Sequence, residues 1–225
     1  ITLERNNVSN NLWFPAEYHA GLSASGERGA WRWFLGGFSS STTEEFGSLD
    51  GGWFGLLTVG YDWAEKFDVP ELELVLDYVY NDPDPDNVST RDLKHVGSLH
   101  FRYDSGRFGV RAELTAGLGY GTQSDLMGAA LMPFVHLTET VQLVGFYTWV
   151  ESSDPNGVRL GRYENRIVDG RGDRYHEVYV GLNWFVYGHK LKLQTGLQYT
   201  WMHDEARDGG QYRGWGWTTG LRISW

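Results

Sequence analysis

The sequence of 225 residues contains no cysteine, which excludes disulfide bonds, thiolate metal sites and a cysteine nucleophile. It also lacks any run of about 18 uninterrupted apolar residues, the length that a membrane-spanning helix needs. The mean hydropathy is −0.42, so the chain is polar on average. These absences exclude a protein that crosses a membrane with helices.

Basic charge is scarce as well. The chain has 19 lysines and arginines against 29 aspartates and glutamates, a formal net charge of −10. Proteins that bind nucleic acid neutralise phosphates with clustered basic residues, so we expect no nucleic-acid partner. Residues 1–5 do not form a basic segment followed by an apolar one, so no signal peptide is visible. We expect either a removed leader or missing upstream sequence.

Aromatic residues and glycines are abundant instead, with 11 Trp, 13 Tyr, 11 Phe and 30 Gly. Apolar residues recur at every second position, the period of a β-strand with one apolar face. The segment 190–201 shows the pattern most clearly: Leu191, Leu193, Leu197 and Tyr199 share one face, and lysines and glutamines share the other. The alternation predicts an all-β chain.

The alternation predicts eleven strands. Many run for ten residues or more, whereas a usual strand has about five or six and a strand tilted across a bilayer needs about 9–11. The predicted strands cover residues 16–24, 29–40, 52–66, 70–81, 94–104, 107–120, 126–136, 140–151, 175–187, 190–202 and 211–225.

Short and long connections alternate between these strands, as in outer-membrane barrels with tight periplasmic turns and longer outer loops. Trp and Tyr cluster at strand ends, as in the aromatic girdles at the two bilayer surfaces. We therefore predict a transmembrane antiparallel β-barrel in the bacterial outer membrane, with residues 1–225 as a single domain. The alternative is a soluble β-protein, which would have to hide this many Trp side chains from water.

The end of the chain carries a further pattern, with Gly220, Ile223 and the terminal Trp225 spaced along an amphipathic strand. It resembles the signal by which the barrel assembly machinery recognises unfolded barrel strands, although Phe is the usual last residue. We expect these three residues to form an assembly signal, with that machinery as a partner. The alternative is an ordinary amphipathic strand that ends in an aromatic residue.

The second half of the sequence resembles the phosphate-selective porin O and porin P family in residues 173–184, residues 188–194 and the closing strand. Residues 1–5 and 21–38 resemble earlier family segments, so the resemblance covers essentially this whole chain but only the C-terminal part of a family member. It implies a sixteen-stranded, usually homotrimeric barrel that carries anions such as phosphate. Family members often have Arg where this chain has Phe146, a departure that weakens the expectation of phosphate specificity.

Eleven strands do not close a bacterial barrel, which has an even number. An open sheet edge in lipid leaves backbone groups unpaired at several kcal/mol each, so we expect strands from upstream or from another polypeptide to complete the barrel. A competing interpretation makes residues 3–14 a twelfth strand. Asn is depleted in strands, and four asparagines oppose this interpretation: Asn6, Asn7, Asn10 and Asn11.

The strand face opposite the apolar residues would line the pore. Lysine and arginine there favour anions, and the planar fork of Arg suits phosphate. We predict six pore-lining, anion-binding residues: Arg32, Arg102, Arg111, Lys190, Lys192 and Arg222. The alternative is a mixed pore with weak selectivity, because acidic residues share this face: Asp62, Glu73, Asp77, Glu113 and Glu177.

The longest connection, residues 152–174, contains five arginines and four acidic residues. It either folds inward, where it would form a constriction or collect anions, or it is a solvated outer loop with balanced charge. We favour the solvated loop.

Catalytic and metal-binding patterns have little support. The histidines are scattered without an HExxH arrangement, and no Gly-x-Ser-x-Gly motif occurs. Ser98 and His100 lie two apart on one face, as in some barrel hydrolases, but such pairs recur by chance. We expect no enzyme, cofactor or metal. The expected function is passive diffusion of small hydrophilic solutes with an anion or phosphate bias, with outer-membrane lipid and lipopolysaccharide as surroundings. The second hypothesis is a non-transporting barrel that acts as an adhesin or structural surface protein.

Overall fold

The computed structural model describes residues 7–12, 19–40, 52–84, 91–161 and 164–223, apart from the side chain of His189. Eleven antiparallel strands form one sheet in which neighbours in space are neighbours along the chain. They are β1 (Gly21–Arg28), β2 (Trp31–Ser39), β3 (Trp53–Asp62), β4 (Glu71–Asn81), β5 (Leu93–Asp104), β6 (Phe108–Gly119), β7 (Leu126–His136), β8 (Val141–Ser152), β11 (Arg174–His189), β12 (Leu191–His203) and β13 (Tyr212–Ile223).

The connection between β8 and β11, residues 153–173, is called the inserted segment here. It contains a small two-stranded sheet, β9 (Val158–Arg159) and β10 (Arg171–Gly172), and a 3-10 helix at Glu164–Arg166. Two short helices complete the described elements: α1 (Asn7–Leu12) and α2 (Ala64–Phe67). No helix among the described residues is long and apolar enough to cross a membrane.

The predicted all-β antiparallel fold is confirmed, and the main sheet has the predicted number of strands. The sheet itself is open. Within the described residues β1 and β13 each pair with a single neighbour, so these two strands form its edges. Closure into a barrel is therefore not seen in this sheet.

Most strand bounds lie within two residues of the prediction, but the first strand is wrong. Residues 25–28, predicted as the connection between the first two strands, still pair with β2, where Glu27 is the partner of Arg32 and Arg28 the partner of Trp31. The turn comes next, at Gly29, whose φ of +58° suits a residue without a Cβ atom.

The third predicted strand ends too late. Asp62 ends β3, and its carboxylate accepts a hydrogen bond from the Ala64 N–H at 2.7 Å, which starts α2. The helical turn ends at Asp68, which takes the left-handed conformation with φ of 51°.

Residues 7–12 form helix α1, so the interpretation of residues 3–14 as a twelfth strand is wrong for these six residues. The rest of that range lies outside the described residues. α1 packs on β6, β7 and β8, where Gly117 and Gly128 leave room for the side chain of Leu12. The face of the sheet that α1 covers is called the inner face, and the opposite one the outer face.

The hydrophobic core lies on the inner face, beneath α1 and the inserted segment. Val8 and Leu12 of α1 and Val158 and Leu160 of the inserted segment are all buried there. The sheet contributes side chains from β3 to β12: Phe54, Val79, Leu93, Val96, Leu126, Ala130, Phe146, Val150, Tyr175, Tyr179 and Met202.

The two ends of the sheet differ in their connections, as predicted, except that connection 63–70, which contains α2, is longer than connection 120–125. One end, the turn end, has the short connections 29–30, 63–70, 105–107, 137–140 and Lys190. The other, the loop end, has the longer connections 40–52, 82–92, 120–125, 153–173 and 204–211. The inserted segment lies at the loop end because it follows the last residue of β8. α1 lies at the same end, since Leu12 contacts Gly117 near the end of β6 and Gly128 near the start of β7.

Candidate functional site

The outer face of the sheet is apolar and exposed. Every strand of the sheet carries at least one exposed large apolar side chain. Leu35 of β2 and Leu57 of β3, for example, are cross-strand partners and both exposed. On β13 the side chains of Trp215 and Trp217 are each 76% exposed. On β12 the same face carries Leu197, 55% exposed. The outer face therefore presents a band of large apolar side chains that no described part of the chain covers.

Aromatic pairs flank this band at both ends of the sheet. At the turn end the rings of Trp31 and Tyr61 lie 4.8 Å apart. At the loop end Trp53 lies 5.2 Å from Tyr80. This placement agrees with the aromatic strand ends noted in the sequence.

The inner face brings three of the predicted basic residues together, but each meets a carboxylate. Arg32 contacts Glu73 at 2.5 Å, and Arg102 contacts the other oxygen of Glu73 at 3.5 Å. Arg111 pairs with Glu71. Three arginines thus meet two glutamates, so the cluster is mixed in charge and matches the alternative of a mixed wall better than a purely basic one.

The other three predicted basic residues lie near the turn end. Lys192 of β12 and Arg222 of β13 are cross-strand partners. Lys192 is 5% exposed, whereas Arg222 is exposed. Lys190 is different, because it lies in the turn between β11 and β12 and not within a strand. Alternation therefore does not assign Lys190 to a face of the sheet, and its pore-lining role stays a prediction.

The residues of the predicted assembly signal are only partly described. Gly220 pairs with Gln194 of β12, and Ile223 pairs with Leu191 and is exposed. Trp225 lies outside the described residues.

Ser98 and His100 do contact each other on the inner face. The Ser98 hydroxyl lies 3.0 Å from His100 Nε2, and Asp77 Oδ2 lies 3.2 Å from the same nitrogen. In a catalytic triad the serine and the carboxylate contact different ring nitrogens of the histidine. The carboxylate orients the imidazole, and the imidazole accepts the proton of the serine hydroxyl. Here both share Nε2, and Ser98 also bonds Thr115 at 2.7 Å. The arrangement is a hydrogen-bond network and not a triad.

The inserted segment folds inward, so our preference for a solvated outer loop is wrong. Its strand β9 is held by the asparagine side chains of α1. Asn11 bonds both the N–H and the carbonyl of Arg159, and Asn7 Nδ2 donates to the same carbonyl at 2.8 Å. Asn10 Nδ2 donates to the Leu160 carbonyl at 3.1 Å. Asparagines disfavour a strand at residues 3–14, and in helix α1 the side chains of Asn7 and Asn11 instead bond the backbone of another strand, β9.

The inserted segment also contacts the inner face at β12, beyond the two strands that it connects. Glu164 of the 3-10 helix is buried, and its Oε1 accepts a hydrogen bond from Gln198 of β12 at 2.8 Å. Gln123, in the connection between β6 and β7, donates to the Gly157 carbonyl at 3.1 Å. The inserted segment is therefore fixed at several points, by α1, by β12 and by the connection between β6 and β7.

These contacts build a cavity of about 710 Å³ at the loop end. We call it the arginine cavity. Three half-buried arginines line it, one from connection 82–92 and two from the inserted segment, together with amide, acidic and small residues: Arg91, Arg159, Arg171, Asn10, Asn165, Asp169, Leu160 and Gly170.

The β9–β10 pairing places two of these arginines directly opposite each other, since Arg159 is the cross-strand partner of Arg171. Like charges in this position destabilise a strand pair. Arg91 adds a third positive charge nearby. Within the described residues none of the three forms an ion pair with a carboxylate.

Burial and mutual repulsion act on the arginine pKa values in the same direction. Burial lowers the pKa of Arg159 to about 10, with the charges of Arg171 and Arg91 adding to the effect. Burial, followed by the charge of Arg171, also lowers the pKa of Arg91. A bound anion would oppose both causes. Three half-buried arginines in one cavity, without a carboxylate ion pair among the described residues, form an arrangement that can accept an anion.

Sequence reasoning missed this site. Arg159 and Arg171 stood out only as two of five arginines in a loop, and Arg91 did not stand out at all. The others are elsewhere: Arg174 pairs with Glu151, Arg166 is exposed, and Arg162 lies outside the described residues. No local sequence pattern predicts that the β9–β10 hairpin will bring Arg159 and Arg171 together beside Arg91.

Metal ligands are not clustered: the described residues contain no group of three or more His, Asp or Glu side chains that could hold a metal ion. No model of a known protein family, no curated protein and no solved structure matches the chain. The resemblance to the porin O and porin P family therefore stays a prediction.

Proposed function

We propose that the chain forms most of the wall of an outer-membrane porin, through which small hydrophilic solutes diffuse passively and anions pass more readily than cations. The proposal implies a bacterial outer membrane with its lipid and lipopolysaccharide as surroundings, and assembly by the barrel assembly machinery.

The observation that carries the proposal is the contrast between the two faces of the sheet. Soluble monomers rarely expose a contiguous apolar area above roughly a few hundred Å². Here exposed apolar side chains run from Leu22 on β1 to Trp215, Trp217 and Leu221 on β13. A barrel wall turns every second residue to lipid and the others to a polar interior, and the inner face carries such polar residues.

The open edges set a condition on this proposal. Unpaired backbone groups on β1 and β13 would cost several kcal/mol each in lipid, so further strands must complete the wall in the membrane. The resemblance to the porin O and porin P family supports a sixteen-stranded barrel, which five strands would complete, and a homotrimer.

The anion preference rests on the arginine cavity. Arg91, Arg159 and Arg171 lie at the loop end, which corresponds to the outer mouth if the short turns face the periplasm. Their unpaired positive charge would raise the local anion concentration at the entrance. Phosphate is the sharper hypothesis for the inorganic solute, because an Arg fork donates two parallel hydrogen bonds to its oxygens.

Single-channel currents in planar lipid bilayers test the proposal, using the full-length product of the gene and a salt gradient to measure the reversal potential. Anion-selective current that phosphate reduces supports it. Cation-selective or unselective current overturns the anion preference. The absence of current from protein that has inserted and folded overturns the porin.

A matched pair of variants links the current to the inner face. Glu73→Gln removes the carboxylate that Arg32 and Arg102 share, so the reversal potential should shift towards greater anion selectivity. Glu65→Gln changes an exposed residue of α2 at the turn end and should leave the reversal potential nearly unchanged. Equal shifts in both variants would contradict a pore along the inner face.

A second candidate function has one observation in its favour. Val8, Leu12, Val158 and Leu160 fill part of the inner side with a buried apolar cluster, as a plugged barrel would. A plugged barrel with no conductance would be an adhesin or a structural surface protein whose loops bind a partner. The bilayer experiment separates this candidate from the porin.

A further inference from the structure

We propose that the arginine cavity binds a hydroxylated organic anion, a sugar acid or a sugar phosphate, in preference to a bare inorganic anion. This inference rests on the proposed function, because it names the class of solute that the mouth of the pore selects.

The half-buried lining of the cavity, Arg91, Arg159 and Arg171, supplies the charge and is taken as its deeper layer. Asn10 Oδ1 accepts a hydrogen bond from Arg91 Nη2 at 3.3 Å, and Gln123 Oε1 accepts one from Arg171 Nη1 at 3.5 Å. Neutral amides therefore orient these guanidinium groups without cancelling their charge. Arg91 Nε is buried and has no hydrogen-bond partner among the described residues. A carboxylate or phosphate group of the ligand would meet this unmet donor and the surplus charge.

The rim of the cavity has a different chemistry. Asn165 and Asp169 line the same cavity but are exposed. An amide both donates and accepts hydrogen bonds, whereas an ionised carboxylate only accepts them. Asp169 would repel an inorganic anion, but it would accept a hydrogen bond from a hydroxyl group. The two layers together match a ligand with its anionic group deep and its hydroxyl groups at the rim.

The volume supports the same ligand class. At about 710 Å³, the cavity falls within the roughly 300–1,000 Å³ typical of sites for organic ligands. An inorganic phosphate on the arginines would leave Asn165 and Asp169 without a role, whereas a sugar ring can span both layers.

Isothermal titration calorimetry on the full-length protein in detergent micelles tests the inference with four probes: glucuronate, glucose 6-phosphate, inorganic phosphate and glucose. We expect both anionic sugars to bind, phosphate to bind several-fold more weakly than the better of them, and glucose not to bind. The tighter of the two sugars identifies the anionic group as a carboxylate or a phosphate. Phosphate binding as tightly as the better sugar, or absence of sugar binding, overturns the inference.

Three variants locate the binding. Arg159→Gln should weaken both anionic sugars roughly tenfold or more, because it removes a charge-assisted hydrogen-bond donor. Arg159→Lys keeps the charge and serves as the milder variant if the glutamine variant does not fold; it should still weaken binding several-fold through loss of the planar fork. Arg166→Gln changes an exposed arginine of the same segment and should bind like the unmodified protein.

Asp169→Ala separates hydroxyl recognition from charge. It should weaken glucuronate and glucose 6-phosphate while strengthening inorganic phosphate, because it removes both an acceptor for hydroxyls and a repulsive charge. If all three anions change by the same factor in the same direction, the rim does not read hydroxyl groups and the inference fails.

The two proposals fail in different ways. A channel that conducts anions but does not bind anionic sugars overturns this inference and leaves the porin standing. Sugar binding by a folded protein that conducts no current overturns the porin, while the site itself remains, as the binding site of a surface protein.

Discussion

Asn11 and Arg159 lie 148 residues apart in the sequence, and the side chain of one bonds the backbone of the other at two points. Asn11 Oδ1 accepts from the Arg159 N–H at 2.7 Å, and Asn11 Nδ2 donates to the Arg159 carbonyl at 3.1 Å. This exchange of one donor and one acceptor imitates a hydrogen-bonded residue pair in an antiparallel sheet. The position of an arginine in the cavity therefore depends on a short helix near the start of the sequence.

Asn11→Ala should loosen β9 from the inner face. The substitution leaves the backbone donor and acceptor of Arg159 with fewer partners, and an unsatisfied buried group costs about 1–3 kcal/mol. Hydrogen–deuterium exchange should accelerate in peptides that cover residues 157–161. Asn165→Ala, which changes an exposed side chain of the same segment, should not accelerate it. Unchanged exchange in Asn11→Ala would show that α1 does not hold β9.

Arg171→Gln should raise the stability of the ligand-free protein and lower the stability of the ligand-bound protein. It removes a like charge directly opposite Arg159, and cross-strand pairs are worth roughly 0.2–1 kcal/mol. It also removes one donor for the anion. Thermal unfolding in micelles, with and without a saturating anion, measures both effects, and Arg166→Gln is the control. Lower stability of Arg171→Gln without ligand would contradict a strained, anion-accepting arginine pair.

The affinity for anions should decline as the pH rises through about 10. Burial first, and then Arg171 and Arg91, lower the pKa of Arg159 to about 10, so its charge is complete below that pH and is lost above it. Without ligand, the stability of the folded protein should instead rise with pH over this range. A depressed cationic pKa destabilises the folded state, and deprotonation removes this destabilisation.

Titrations with an anionic sugar between about pH 8 and about pH 11 check this dependence. Arg159→Gln serves as the control, since its affinity should decline less steeply over the same range. An equally steep decline in both proteins would assign the titration to another group.

Trp217→Arg should impair folding into a bilayer. Trp217 is exposed on the outer face, and an arginine on the lipid side of a barrel costs about 2–4 kcal/mol near the bilayer midplane. Thr218→Arg places the same charge on the adjacent residue, which faces the other side. Equilibrium unfolding from lipid vesicles should show a larger loss for Trp217→Arg. If Trp217→Arg is as stable as the unmodified protein, the outer face does not contact lipid.

The strands could be predicted because alternation is a local signal. Leu191 and Leu193 lie two apart, and the pleat alone puts them on one face. The first turn was harder, since Glu27 and Arg28 have turn-like polarity but can pair as edge-strand residues just as well. What decides the turn is the left-handed backbone of Gly29, and glycines are too frequent in this chain to single one out.

The arginine cavity could not be predicted, because it depends on contacts between distant segments. Whether Arg159 points to solvent or into a cavity is decided by Asn7, Asn10 and Asn11, which lie far away in sequence. Alternation likewise put Arg32, Arg102 and Arg111 on one wall, but it could not show that Glu73 and Glu71 form ion pairs with them.

The long reach from α1 to β9 also orders the folding reaction. Each hairpin of the sheet closes a short loop, whereas the contact between Asn11 and Arg159 closes a span of 148 residues, and distant contacts form more slowly than local ones. The sheet should therefore assemble strand by strand before α1 binds the β9–β10 hairpin. Newly folded molecules would pass through a stage with a complete sheet and no arginine cavity, so the cavity would be the last part of the described structure to form.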